Sequence, residues 1–267
     1  AIGTITPRQL SVALIGTVQR PYDGTINAAL GTSNFTLTGV GNGDNITINQ
    51  TLGRFASANV GTGLAVNTTL GSSAFTAGNG TLLSNYSLPA AASGAIGVIT
   101  PRSLSLSLTG EISKVYDGLA SITLSPTNLS LTGLLPGETI TVTKSNATLG
   151  SANVGSAVQT TLTLASSDYA AGAGTLLANY VLPTRTSAAI TAITPRLLTV
   201  ALTGSVQREY DGTTAAALSA SNFSIDGILS GESISITQAQ GQFASRNVGT
   251  GLIVSTALGN SAFAAGN

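Results

Sequence analysis

Apolar and polar residues alternate along the chain in short bursts. Leu10, Val12 and Leu14 fall on one face of an extended segment, and the spacing returns in Leu104, Leu106 and Leu108 and in Leu198, Val200 and Leu202. Period two puts every second side chain on the same side of a strand, so each burst predicts a half-buried β-strand. Further runs pair Phe35 with Leu37, Ile46 with Ile48, Leu64 with Val66 and Leu70, and Leu82 with Tyr86 and Leu88. Glycine-rich breaks such as Gly39-Val40-Gly41-Asn42-Gly43-Asp44 and Ala77-Gly78-Asn79-Gly80 separate the runs, which are too short for ordinary helices.

The bursts recur as one block. Ile5-Thr6-Pro7-Arg8 returns as Ile99-Thr100-Pro101-Arg102 and Ile193-Thr194-Pro195-Arg196, a period of 94 residues. Tyr22-Asp23-Gly24 keeps that period at Tyr116-Asp117-Gly118 and Tyr210-Asp211-Gly212, and Asn59-Val60-Gly61 keeps it at Asn153-Val154-Gly155 and Asn247-Val248-Gly249. Between Arg8–Asn79 and Arg196–Asn267, 44 of 72 aligned positions are identical without a gap, so the copies share one fold. The boundaries that follow are 1–7 as the tail of a preceding copy, 8–101, 102–195, and 196–267 as a third copy lacking its final strand. About six or seven strands per copy suit a tandem array of Ig-like antiparallel β-sandwiches, with β-grasp-like copies as the alternative. Between copies, Pro7, Pro101 and Pro195 fix φ and hold the preceding Thr extended, which predicts short, stiff joints.

Comparing copies sorts side chains by role. Phe35, Phe55, Phe75, Phe223, Phe243 and Phe263 stand where the second copy has Leu129, Leu149 and Tyr169, as core positions tolerate. Charge behaves differently. Only 7% of residues are charged, yet Arg8, Arg20, Asp23 and Asp44 keep their sign at Arg102, Lys114, Asp117 and Glu138 and at Arg196, Arg208, Asp211 and Glu232. Twelve of the 20 charges are thereby repeat-invariant, which assigns them to structure. In each Tyr-Asp-Gly the Asp is expected to accept from an amide two residues on, the Gly to take positive φ, and the Tyr to pack its ring while its hydroxyl caps a loop. The competing reading, one carboxylate per copy for sugar or Ca²⁺, offers too few oxygens for calcium.

Composition excludes much else. Cys and His are absent, which removes disulfides, thiolate or imidazole metal sites and nucleophile–imidazole pairs, so no catalytic residue, metal site or cofactor is expected. Ten basic and ten acidic residues balance with no basic run to follow a phosphate backbone, which argues against nucleic acid. No apolar run is long enough for a membrane-spanning helix, roughly 18 residues or more. Only Lys114 and Lys144 are lysines, so a lysine–asparagine crosslink cannot recur in every copy. Nine Asn-x-Ser/Thr triplets begin at Asn34, Asn45, Asn49, Asn67, Asn79, Asn85, Asn128, Asn146 and Asn222, as a Ser-, Thr- and Asn-rich chain generates by chance.

Taken together, Ile-Thr-Pro-Arg before an alternating strand, a basic residue two before Tyr-Asp-Gly, Asn-Val-Gly, and Asn-Tyr-x-Leu-Pro resemble the YDG-type, MBG-related tandem repeats of bacterial filamentous-haemagglutinin-like surface adhesins. The resemblance covers all 267 residues. It implies a non-enzymatic, extracellular stalk or filament segment at the bacterial cell surface, serving adhesion or biofilm by projecting a distal domain or building a fibre. A multivalent module binding glycans or other fibres is the alternative. Expected partners are neighbouring copies, with glycans as the alternative reading's ligand; the third copy is first read as cut mid-repeat, and alternatively as completed by a strand donated from another copy of the same chain.

Overall fold

The computed structural model describes residues 2–266 and is all-β: among these residues the only helical pieces are three-residue 3-10 turns. The first copy runs β1 (Arg8–Gln9), β2 (Ser11–Leu14), β3 (Val18–Pro21), β4 (Asn27–Ala29), β5 (Phe35–Thr38), β6 (Asn45–Ile48), β7 (Leu52–Phe55), β8 (Gly61–Thr69), β9 (Phe75–Gly78), β10 (Tyr86–Ser87) and β11 (Ala91–Thr100). Five strands form one sheet in the order β3-β11-β8-β7-β4, while β1-β10, β2-β5 and β6-β9 form two-stranded ribbons. Most pairs are antiparallel, but β1 with β10 and β3 with β11 run parallel. Alternation specifies which residues share a face and not the direction of a neighbouring strand, so these pairings add to the sandwich expected from sequence.

The first core lies between sheet and ribbons, where Leu10, Leu14, Phe55, Val66 and Ile99 are buried. Their packing explains two glycines of β11. A Cβ on Gly94 would stand 2.5 Å from the Leu14 carbonyl oxygen, and one on Gly97 would stand 2.7 Å from the Phe55 ring. Phe75, Leu149 and Tyr169 are likewise buried, whereas Phe35, Leu129, Phe223, Phe243 and Phe263 are half-buried. Leu82 departs from the alternating run: a 3-10 turn over Leu83–Asn85 breaks the period and leaves Leu82 exposed.

Asparagines close equivalent turns in every copy. Asn34 accepts from the Gly31 amide at 2.9 Å and donates to the Ile15 carbonyl at 3.3 Å. Asn128 does so with Ser125 and Thr109, and Asn222 with Ser219 and Thr203. Three of the Asn-x-Ser/Thr triplets thus begin with side chains already engaged by the fold.

Contacts gather the chain into two compact units, and the division runs through the second copy. One unit holds the first copy, the following residues to Thr109, and Leu124–Asn146 and Leu162–Ser187. The other holds Gly110–Thr123, Ala147–Thr161 and everything from Ala188. The second copy's five-stranded sheet repeats the first in order, through Ile112–Val115, Arg185–Thr194, Gly155–Thr163, Asn146–Leu149 and Ser121–Thr123. The third copy has a three-stranded sheet of Ala215–Ala217, Gln240–Phe243 and Val254–Ser255. Aligned at the repeat period, the third copy's counterpart of β11 falls outside the 267 residues.

Candidate functional site

The Tyr-Asp-Gly turns are built alike in all three copies. Gly24, Gly118 and Gly212 have φ of 76°, 75° and 77°, the left-handed region where a side chain is strained. Asp23, Asp117 and Asp211 accept from the amides of Thr25, Leu119 and Thr213 at 2.8 to 2.9 Å. Arg20, Lys114 and Arg208 then pair with those aspartates and donate to carbonyls beyond the turn, closing it from the other side. The Arg20 and Arg208 guanidinium groups also lie over the Phe55 and Phe243 rings, at 5.1 and 5.5 Å.

The carboxyls respond to this clamp. Burial alone would raise Asp23, but Arg20 together with the Thr25 amide and hydroxyl outweighs it and holds the carboxyl below its ordinary range. Lys114 does the same for Asp117, and the Thr213 amide for Asp211.

The tyrosine leaves its own copy. Instead of capping a local loop, the Tyr22 hydroxyl donates to Glu138 Oε1 in the second copy, and Tyr180 donates to the other oxygen of the same carboxylate. The two rings meet edge to face, 5.5 Å between centroids at 80°. Hydrogen bonding to Glu138, reinforced by burial, pushes Tyr22 up to about 12. Asn179 adds a second attachment: its Oδ1 accepts from the Val60 amide and its Nδ2 donates to Asn59 Oδ1, both at 2.9 Å. Gly24 backs onto Leu135, whose Cδ1 would lie 3.2 Å from a Cβ there.

This joint recurs in the other unit. Tyr116 donates to Glu232 Oε1 across the same separation of 116 residues, and Gly118 backs onto Leu229. Hydrogen bonding to Glu232 raises the Tyr116 hydroxyl. Tyr210 is 65% exposed, and Gly212 has nothing within 4 Å of its added Cβ.

The invariant arginines work within copies: Arg102 Nε donates to the Gly133 carbonyl at 2.7 Å and Arg196 Nε to that of Gly227. These glycines have φ of 101° and 99°. Arg8 opens β1 in the corresponding place and pairs with Tyr86 of β10. Pro101 is the single residue between β11 and the strand Arg102–Ser103, Pro195 directly follows Arg185–Thr194, and Pro7 directly precedes β1. Sequence reasoning singled out the turns, Asn-Val-Gly and the acidic position; it missed that they converge with Leu135 and Asn179. Their shared repeat period was the available signal.

Among the described residues no group of three or more acidic, histidine or cysteine side chains is gathered as a metal site. Among the same residues no helix is long and apolar enough to cross a membrane. The family model described as YDG domain matches residues 6–94, 100–188 and 194–267. No curated protein and no solved structure matches the chain.

Proposed function

The chain belongs to the YDG domain family, and from that premise we propose that it is a structural segment of a bacterial extracellular adhesin, a stalk or filament that projects a distal binding domain or builds a fibre in adhesion and biofilm. The observation that carries this reading is the use made of the invariant side chains. The Tyr-Asp-Gly tyrosine of one copy bonds the acidic residue of the next in both joints, at the same spacing. The invariant Arg or Lys and the Asp hold the turn that presents it. Constant residues that join copies serve a load-transmitting array.

Two measurements on the isolated chain test the reading. Stretched between its ends, it should unfold in repeated steps of similar length, and it should leave a glycan array blank. Saturable binding to one glycan class would replace the stalk with the multivalent module.

A further inference from the structure

We infer that the core of each copy selects its own closing strand against its neighbour's, through side chains that differ as a matched set between adjacent copies. The recognition surface is the cleft that the strand fills, and its partner is one particular strand of the same chain. This selection acts while the array folds and is independent of what the stalk projects.

Tandem copies of one fold create the need for it. β11 closes the first sheet between β3 and β8, and Arg185–Thr194 closes the second sheet between Ile112–Val115 and Gly155–Thr163. Only Pro101 separates β11 from the strand Arg102–Ser103 of the next copy, so a closing strand forms beside two similar clefts. Strand exchange between such neighbours is a characteristic way for repeat proteins to misfold. The residues around the strand nevertheless differ. In the first copy Gly53, Phe55 and Val66 accompany a strand that carries Gly94 and Gly97, and the same places in the second hold Ala147, Leu149, Thr160, Ala188 and Thr191. Phe55 and Val66 are fully buried. A Cβ on Gly97 would lie 2.7 Å from the Phe55 ring, and one on Gly94 would lie 2.5 Å from the Leu14 carbonyl oxygen. The second copy's strand would bring Thr191 and Ala188 to those two points, so the first cleft rejects it by overlap.

The reverse exchange fails for the opposite reason. Thr160 and Thr191 are both 0% exposed, and their hydroxyls bond each other at 2.6 Å. β11 would place Gly97 where Thr191 stands, which takes that partner from the Thr160 hydroxyl and leaves a void beside Leu149, the smaller counterpart of Phe55. The sets also hang together internally: a Cβ on Gly53 would lie 2.9 Å from Leu30 Cδ1 and 3.2 Å from Val66 Cγ1, and the second copy carries Ala147 where Thr160 replaces that valine. The third copy returns to Gly241, Phe243 and Val254, with a Cβ on Gly241 again 2.9 Å from a leucine, Leu218. The set therefore alternates along the chain, and adjacent copies, the ones most able to exchange, are the ones that differ.

Disulfide trapping on the whole chain tests the proposal, and with no native cysteine an engineered pair reports strand partners directly. Asn67 and Ser93 are exposed partners on β8 and β11, and Ser187 is the counterpart of Ser93 in the second closing strand. Refolded under oxidising conditions, Asn67→Cys with Ser93→Cys should close, whereas Asn67→Cys with Ser187→Cys, which closes only on an exchanged strand, should stay reduced. Adding Ala188→Gly and Thr191→Gly removes the overlap and should raise the exchanged disulfide at least about tenfold, the scale of one steric or hydrogen-bonding mismatch in a core. Adding Ala147→Gly, Leu149→Phe and Thr160→Val as well gives the second copy the first copy's full set, and the exchanged disulfide should again exceed that of the original core. Both variants leave the first cleft unaltered, so closure of the Asn67→Cys, Ser93→Cys pair checks that it still folds. A rise in either variant supports selection by the matched set. An exchanged disulfide no more abundant in either than in the original core overturns it.

Discussion

The two joints use the same tyrosine, the same carboxylate and the same leucine, yet they are buried to different degrees. Tyr22 is 5% exposed, while Tyr116 is half-buried. Val60 is half-buried beside Asn179, and its counterpart Val154 is 51% exposed. The difference traces to the last quarter of the receiving copy. The second copy brings Asn179 and Tyr180 to the first joint, where they contact Val60, Asn59 and Tyr22, and among the described residues no such pair is seen beside Tyr116. The first joint therefore has two parts: the Tyr–carboxylate bond with its leucine, and an Asn–Tyr clamp that packs on Tyr22 and bonds Val60 and Asn59.

Truncating the tyrosine should separate the joints most sharply. Tyr22→Ala removes a buried aromatic ring and should cost about 3–5 kcal/mol, whereas Tyr116→Ala should cost about 1–3 kcal/mol because its ring is already partly hydrated. Urea unfolding of the two variants checks this. Equal costs would mean that the clamp adds nothing.

Removing the clamp alone is the narrower test. Asn179→Ala leaves the Val60 amide and Asn59 Oδ1 without their partner and should cost about 2 kcal/mol. Asn85, at the same place in the first copy, is exposed, so Asn85→Ala should lie within about 0.5 kcal/mol of wild type. Hydrogen exchange at Val60 locates the effect: its amide should lose protection in the first variant only.

Much of this architecture was legible in the sequence, and the joint was its least legible part. Alternation placed Leu10 and Leu14 on the core side, and turn chemistry anticipated the positive φ of Gly24 and the Asp23 bond to the Thr25 amide. Sequence could not show that β11 pairs in parallel with β3, because strand direction leaves no mark in a period of two. Nor could it show that Tyr22 meets Glu138. Both were visible as invariant positions, but each also has a sufficient local role, the tyrosine as a turn residue and the acid as a partner for its own copy's Tyr180. Only the packing of one copy on the next distinguishes a residue that closes a turn from one that joins two domains.

Alkali probes the bond between copies with the smallest perturbation. Tyr22 is pushed up to about 12 from an ordinary value of 10.0, because its hydroxyl donates to Glu138, because it is buried, and because ionisation would set a phenolate against that carboxylate. A hydroxyl whose pKa is raised on folding contributes its full stability below the unfolded value and loses it as pH climbs through the folded one. The stability difference between wild type and Tyr22→Phe should thus hold constant below about pH 10 and shrink towards about pH 12, with thermal melting at stepped pH as the measurement. The hydroxyl of Tyr116 is also raised, so Tyr116→Phe should show a decline of the same sign. A wild-type advantage unchanged through that window would mean that the Tyr22 hydroxyl holds the next copy by something other than its proton on Glu138.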